Sequence, residues 1–293
     1  MRTEGGEDGA SQARAHAKLN LGLRVLGRRA DGFHEIDSIM ASIDLHDDVM
    51  VRGEGAADVL VRLPSGDDRL DRAALPLDGG NLVLRALERY RLAAAATGGA
   101  PPPPLRIALR KRVPIAAGLG GGSSDAAAVL RLLAASWPAT IDLLPLAAEL
   151  GSDVPFFVSG HAWARSRGRG ERLEAVAAPA LRVVLVNPGV GVSAADAYRW
   201  RAEGAELAER RTPWRGFDLA NDLEPGVAER VPEVAEVLAW LRAQTPHPVA
   251  MSGSGATCFA VVEDEREAEE LAARARRAAG WWVRVARATP TGV

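Results

Sequence analysis

The clearest pattern in the chain is a change of period. Between about residue 15 and residue 64 apolar and polar positions alternate, as in strands with one buried face. LNLGLRVLG and SIMASIDL form one such pair, joined by a turn at Arg29-Ala30-Asp31-Gly32, and VMVRGEG and DVLVRLP form a second, ending in the polar turn SGDDRLD. The period then lengthens. In GGNLVLRALERYRLAAAA, Leu82, Val83, Leu84, Leu87 and Tyr90 make an apolar stripe at helical spacing, with Asn81 placed to cap it. GGAPPPP separates this helix from the strand LRIALRKRV. A second helix, DAAAVLRLLAA, closes at Trp137-Pro138, and LLPLAAELG makes a shorter one. GSDVPFFVSG then places Asp153 where a helix passes to an extended segment. From about residue 165 strands and helices alternate: ERLEAV, LRVVLVNPG, the helix-like SAADAYRWRAEGAELAERR, the loop TPWRGFDLANDLEPG, helix VPEVAEVLAWLRAQ, the glycine turn in PVAMSGSGATCFAVVE, helix DEREAEELAARARRAAG and strand WWVRVARA. Such a mixture predicts an α+β protein, and 293 residues suffice for two cores. We expect a disordered tail over residues 1–14 and domains over 15–164 and 165–293.

Composition narrows the function classes. The 36 basic and 38 acidic residues nearly cancel, so nothing suggests a nucleic-acid or membrane-surface partner. No apolar run approaches the roughly 18 residues of a membrane span, and the acidic, glycine-rich N-terminus lacks the apolar centre of a signal peptide. The expected location is cytoplasmic. Cys258, the single cysteine, lies in an apolar strand and reads as a small core residue, and no spacing of Cys and His suggests a metal site. Arginine supplies nearly all the positive charge; Lys18 and Lys111 are the only lysines.

The stretch with the most chemistry lies just before the second helix. Pro114, Ile115, Ala116 and Ala117 lead into Gly118, Leu119, Gly120, Gly121 and Gly122, closed by Ser123 and Ser124. Glycines permit positive φ and close backbone approach, and the helix start turns its N–H groups and positive dipole end toward one point. That arrangement binds anions, phosphate above all. It lacks the Gly-Lys-Ser/Thr ending of a Walker A loop, and Pro114 with the glycine spacing excludes a dinucleotide fingerprint. A flexible linker fits poorly, because both flanks are ordered elements. Elsewhere the bland readings are the commoner ones: Lys18 an edge lysine, Asn20 a turn residue, Phe33 and His34 a surface pair, Asp153 a cap.

P-x-x-x-G-L-G-G-G-S-S resembles the phosphate loop of the GHMP kinases. With AKLNLGL and RADGFHEI before it and GSDVPFF and MSGSGAT after it, the set resembles more closely the 4-diphosphocytidyl-2-C-methyl-D-erythritol kinase family, from about residue 15 to the C-terminus. The resemblance implies a two-domain GHMP kinase fold with its active site in the inter-domain cleft, and phosphorylation of the 2-hydroxyl of the diphosphocytidyl alcohol by ATP, carried as MgATP, in the non-mevalonate route to isoprenoids. It implies Asp153 as base and Lys18 as its partner, with Pro114 to Ser124 on the triphosphate and Asn81 toward the adenine. Phe33 and Tyr198 would stack on the cytosine, His34 would hydrogen-bond it, and Asn20 would lie on the substrate side. Phe33 stands where tyrosine is usual, keeping the ring face and losing a hydroxyl. The partner expected is a small molecule, with a monomer or homodimer left open. Alternatives are a GHMP kinase acting on homoserine or mevalonate, or a silent nucleotide-binding relative.

Overall fold

The computed structural model describes residues 10–53, 56–177, 179–204 and 212–289. Strand β1 (Ser11–Arg28) pairs antiparallel with β2 (His34–Gly53) along nearly its whole length, with register shifts between His16 and Lys18, Asn20 and Gly22, and Val25 and Gly27. Ser11–Arg14, expected in the disordered tail, are paired with Val51–Asp48. The reason lies in burial: Ala13 and Ala15 face the core, so the alternation begins before residue 15. SIMASIDL and VMVRGEG likewise form the single strand β2 up to Gly53, residues 54 and 55 lying outside the described residues.

On its other edge β2 meets two strands in turn, β4 (Leu105–Arg110) at Asp48–Gly53 and β5 (Trp163–Gly168) at Ile36–Ala41. β3 (Val59–Leu63) runs parallel to β4, and β6 (Arg172–Ala175) pairs with β5. The sheet therefore continues past the break expected between residues 164 and 165. The polar stretch ARSRG hid β5: Ser166 is buried with its hydroxyl on the Gly170 carbonyl, and Arg165 pairs with Asp37 across the strands. SGDDRLD, expected as a turn, holds the short helix α1 (Asp68–Arg72), capped by the Asp67 carboxylate. Helices α2 (Leu82–Ala96), α3 (Gly121–Ser136), α4 (Leu143–Leu150) and α5 (Val154–Ser159) complete this half. α5 replaces the extended segment expected after Asp153, because Pro155 sits in its first turn, where the missing N–H costs nothing. α3 is buried from Ser124 to Leu130, its alanines allowing close packing against β1, α2 and α5.

The second sheet has the order β10-β11-β7-β12, all antiparallel, from β7 (Arg182–Asn187), β10 (Val249–Met251), β11 (Cys258–Val262) and β12 (Trp282–Arg287). Its helices are α6 (Ala194–Glu203), α7 (Glu224–Arg230), α8 (Pro232–Gln244) and α9 (Glu265–Ala278), with a small hairpin of β8 (Pro213–Trp214) and β9 (Phe217–Asp218) inside the loop expected there. Residues 205–211 of the expected helix lie outside the described residues. Between the halves runs a third core, with Leu19 and Leu21 of β1, Val183 and Leu185 of β7, and Phe259 of β11. Among the described residues no helix is long and apolar enough to cross a membrane. Cys258 is buried, and burial holds its thiol pKa well above the ordinary value.

Candidate active site

A cleft of about 1000 Å3 opens where β1, the start of α3, the Asp153 corner, α6 and the Gly253 turn converge. β1 brings Lys18 and Asn20, two apart and hence on one face, to its centre. The Lys18 ammonium lies 3.4 Å from Asp153 Oδ2, donates to Gly118 O at 3.1 Å and donates to Asn20 Oδ1. Lys18 is 3 % exposed. A buried ammonium needs such partners, and it has one charge and two dipoles. Asn20 hands its own amide on to Ser38 Oγ at 2.8 Å.

The glycine loop is shaped by what it touches. Gly118 has φ +74, and a Cβ there would collide with the Ser252 carbonyl oxygen. Gly120, at φ +71, caps α3, and a Cβ would press on Phe157 and the Lys18 side chain. Only glycine meets both conditions. Gly121, Gly122 and Ser123 form the first turn of α3 and line the cleft, as do Pro114 to Gly118. The free N–H groups of that turn carry the positive end of the helix dipole. Leu119 and Ser124 do not line the cleft: Leu119 is buried in the core between the sheets, and the Ser124 hydroxyl donates to the His16 carbonyl at 2.6 Å. Asn81 lines it, Oδ1 accepting from Val83 N at 3.0 Å and Nδ2 donating to Pro76 O at 2.7 Å, which leaves the second amide hydrogen and the second oxygen lone pair. These bonds cap α2 and hold the Pro76 wall.

Beneath the loop sits a buried group that sequence reasoning missed. Lys111 Nζ donates to Asp125 Oδ2 at 2.6 Å and to Asp47, whose Oδ1 accepts from Val113 N at 2.9 Å. Burial, reinforced by the Asp47 charge, pushes Asp125 up to about 7 against the pull of Lys111. The rarity of lysine was the one available signal; nothing pointed to Asp47 or Asp125.

At the other end of the cleft the His34 ring lies on Tyr198, centroids 4.7 Å apart and planes 12° from parallel. Phe33 is exposed, with the Arg169 guanidinium 4.8 Å above its ring. Phe33, His34 and Tyr198 are thus brought together, but the stacked partner of Tyr198 is His34. Burial lowers the His34 pKa, with Arg28 adding to the effect, so the imidazole is neutral at pH 7. Burial and the Asp153 charge raise the Tyr198 phenol.

A cation-rich cleft, a helix N-terminus and a lysine–carboxylate pair form a site suited to phosphoryl transfer. Comparison with known proteins agrees. Residues 81–161 match the model of the GHMP kinases N terminal domain and residues 205–280 that of the GHMP kinases C terminal region. A 4-diphosphocytidyl-2-C-methyl-D-erythritol kinase of Deinococcus radiodurans is 44 % identical, over 93 % of this chain and 91 % of the relative. One from Pelotomaculum thermopropionicum is 40 % identical, over 90 % and 93 %. The chain belongs to the 4-diphosphocytidyl-2-C-methyl-D-erythritol kinase family. Among solved structures, a 4-(cytidine 5'-diphospho)-2C-methyl-D-erythritol kinase superposes with a TM-score of 0.73 at 36 % identity, covering 95 % of this chain and 99 % of its own. A homoserine kinase from Cytophaga hutchinsonii, at 16 % identity and a TM-score of 0.66, covers 100 % of this chain and 98 % of its own and shares the fold alone. This kinase is accordingly an ATP-dependent phosphotransferase with the two-domain α+β GHMP fold.

Proposed function

We propose that this kinase phosphorylates the 2-hydroxyl of 4-diphosphocytidyl-2-C-methyl-D-erythritol, with Asp153 as base and Lys18 as its electrostatic partner, in the non-mevalonate route to isoprenoids. The observation that carries the reading is the 3.4 Å Lys18–Asp153 pair, set between the glycine loop and the His34–Tyr198 end of one cleft. ATP lies with its triphosphate over Gly118 to Ser123 and its adenine toward Pro76 and Leu82. The acceptor alcohol lies beside Asp153. Its hydroxyl oxygen bonds to the γ-phosphorus as the bond to the β–γ bridging oxygen breaks, its proton passes to the Asp153 carboxylate, and ADP leaves. The Lys18 ammonium offsets charge spreading onto the transferred oxygens.

Mg2+ fits as the companion of ATP. Both carboxylates lining the cleft, Asp125 and Asp153, are engaged with lysines, so phosphate oxygens and the Ser123 hydroxyl would be its holders. When bound, it neutralises phosphate charge and orients the γ-phosphoryl group.

Selectivity comes from the far end. A base entering beside Tyr198 takes the place of the His34 ring, which is then free to hydrogen-bond the base edge, while Phe33 covers the other face. Stacking on an aromatic face is worth about 1–3 kcal/mol and tolerates any base, so the hydrogen bonds of His34 set the preference for cytosine. A nucleotide donor and a nucleotide-linked acceptor are in keeping with a reaction in the cytoplasm.

The test is ADP release from ATP with the diphosphocytidyl alcohol, run beside homoserine and mevalonate. Turnover with the cytidyl alcohol alone is expected; turnover with another alcohol removes the cytosine clamp, and none with any of them indicates a silent relative. Asp153→Asn should retain ATP binding by calorimetry and lose nearly all turnover, whereas unchanged turnover would remove the base assignment.

A further inference from the structure

Lys18 is seated from beneath by the second half of the molecule. A Cβ at Gly253 would lie 3.1 Å from Lys18 Nζ, 3.0 Å from Asn20 Oδ1 and 2.9 Å from the Gly118 oxygen. The bare backbone of Gly253 is thus the floor under the three atoms that define the ammonium's position. Ser252 Oγ adds a bond to the same Gly118 oxygen at 3.0 Å. Any displacement of the Met251–Gly253 turn must move Lys18 or open a gap beneath it.

Glu224 Oε2 accepts from Met251 N at 2.9 Å and Ser252 Oγ from Asn20 N at 3.2 Å, while one side chain ties down the carbonyls at both ends of the turn. Asn221 Nδ2 donates to the Met251 carbonyl at 2.8 Å and to the Gly253 carbonyl at 2.7 Å. Its Oδ1 accepts from Leu223 N at 2.9 Å, so both ends of the amide are spent and its orientation is set. Asn221 is 8 % exposed. The segment that carries it is in turn registered to β1, with Leu23 N donating to Ala220 O at 2.7 Å and Asp222 N to Leu23 O at 2.9 Å. A closed ring results: Lys18 along β1 to Leu23, across to Asn221, through its amide to Gly253, and back to Lys18. Asn221 borders a separate cavity of about 800 Å3 and is not part of the lining of the active-site cleft, so it acts through other groups.

We infer that Asn221 is a positioning residue for phosphoryl transfer, clamping the Met251–Gly253 turn that seats the Lys18 ammonium beside Asp153. The inference rests on the role of Lys18 proposed above. A buried amide that donates to two carbonyls is costly to lose, because both acceptors are left unpaired. Misplacing a catalytic group by about 1 Å costs about 10²-fold in rate, so a clamp of this kind should register in kcat rather than in substrate affinity.

The decisive variant is Asn221→Asp. It keeps the shape and the acceptor for Leu223 N but turns a carboxylate oxygen toward two carbonyls. We expect kcat about 10²-fold lower, with KM for ATP and for the cytidyl alcohol within about threefold of wild type. Asn221→Ala, which repels nothing, gives the same split if the aspartate variant does not fold. Each is also placed in a Lys18→Ala background, where the Asn221 substitution should reduce the residual turnover by less than about threefold, since its effect passes through a group already gone. A folded Asn221 variant with wild-type kcat overturns the inference while leaving Lys18 intact. Equal losses with and without Lys18 overturn it too, leaving a merely structural asparagine. Wild-type turnover by Lys18→Ala alone overturns the role of Lys18, and the inference with it.

Discussion

His34 illustrates how one ring can serve two duties at different stages. Stacked on Tyr198 it is half-buried and neutral, with its pKa held below the ordinary histidine value by burial and by Arg28. A proton on the ring would remove its acceptor nitrogen and add charge beside arginines. The KM for the cytidyl alcohol should therefore rise as pH falls below the ordinary histidine range, while KM for ATP stays level; a His34→Gln variant should lack that rise. Phe33→Ala should raise KM for the same substrate and spare that for ATP, and equal effects on both would undo the stacking proposal. At this scale the motifs pointed to residues that the fold gathers along one cleft. Phe33, His34 and Tyr198 do share one cleft wall, but periodicity and motif say nothing about which rings touch. That pairing depends on how α6, from the other half of the chain, approaches the turn after β1.

The glycine loop and α3 were the most legible elements, for the same reason that they are the least tolerant. Gly118 combines positive φ with a carbonyl that any added Cβ would strike, so Gly118→Ala must move either its own loop or the Ser252 turn. Since the Gly118 oxygen accepts from Lys18, we expect turnover to fall by about 10²-fold or more, checked by steady-state rates beside a melting curve. The Lys111–Asp47–Asp125 group was illegible, because Asp47 and Asp125 lie 64 and 14 residues from the lysine and each looks like an ordinary surface charge in sequence. It has a measurable signature. The folded protein holds the Asp125 pKa up at about 7, above the ordinary aspartate value of about 4, so the stability this proton contributes is full below about pH 4 and is lost as pH rises to 7. Asp125→Asn removes that dependence. The melting temperature of the variant relative to wild type should climb between about pH 4 and pH 7, and a constant difference would show that Asp125 titrates normally. Strand β5 escaped detection for a related reason: its alternation is written in Arg165, Ser166 and Arg167, with polar pairing in place of apolar burial.

For the molecule as a whole, the inter-sheet core joins what each half's own core holds separately. Leu19 and Leu21 of β1, Val183 and Leu185 of β7, and Phe259 of β11 lock the sheets together, and β1 contributes to all three cores. A shared core of this kind predicts one cooperative transition for both halves. Phe259→Ala should cost about 3–5 kcal/mol and lower a single calorimetric peak without splitting it, whereas two separated peaks would show that the halves unfold independently. Two cores were expected from the length of the chain, and the third, between the sheets, was not. The break expected at residue 164 was not where the sheet ends, because strand pairing through β5 and β6 crosses it. Nor did the first strand's service to both halves show in its sequence, since alternation reveals which face is buried and not what buries it.

The lone thiol has a practical side. Cys258 is enclosed in β11, and its sulfur is kept protonated by burial, so it offers maleimide reagents neither access nor a thiolate. The chain therefore comes ready for site-directed labelling. Dyes attached at cysteines introduced on opposite lips of the cleft would report the distance between the two halves during turnover, with no native cysteine to remove first.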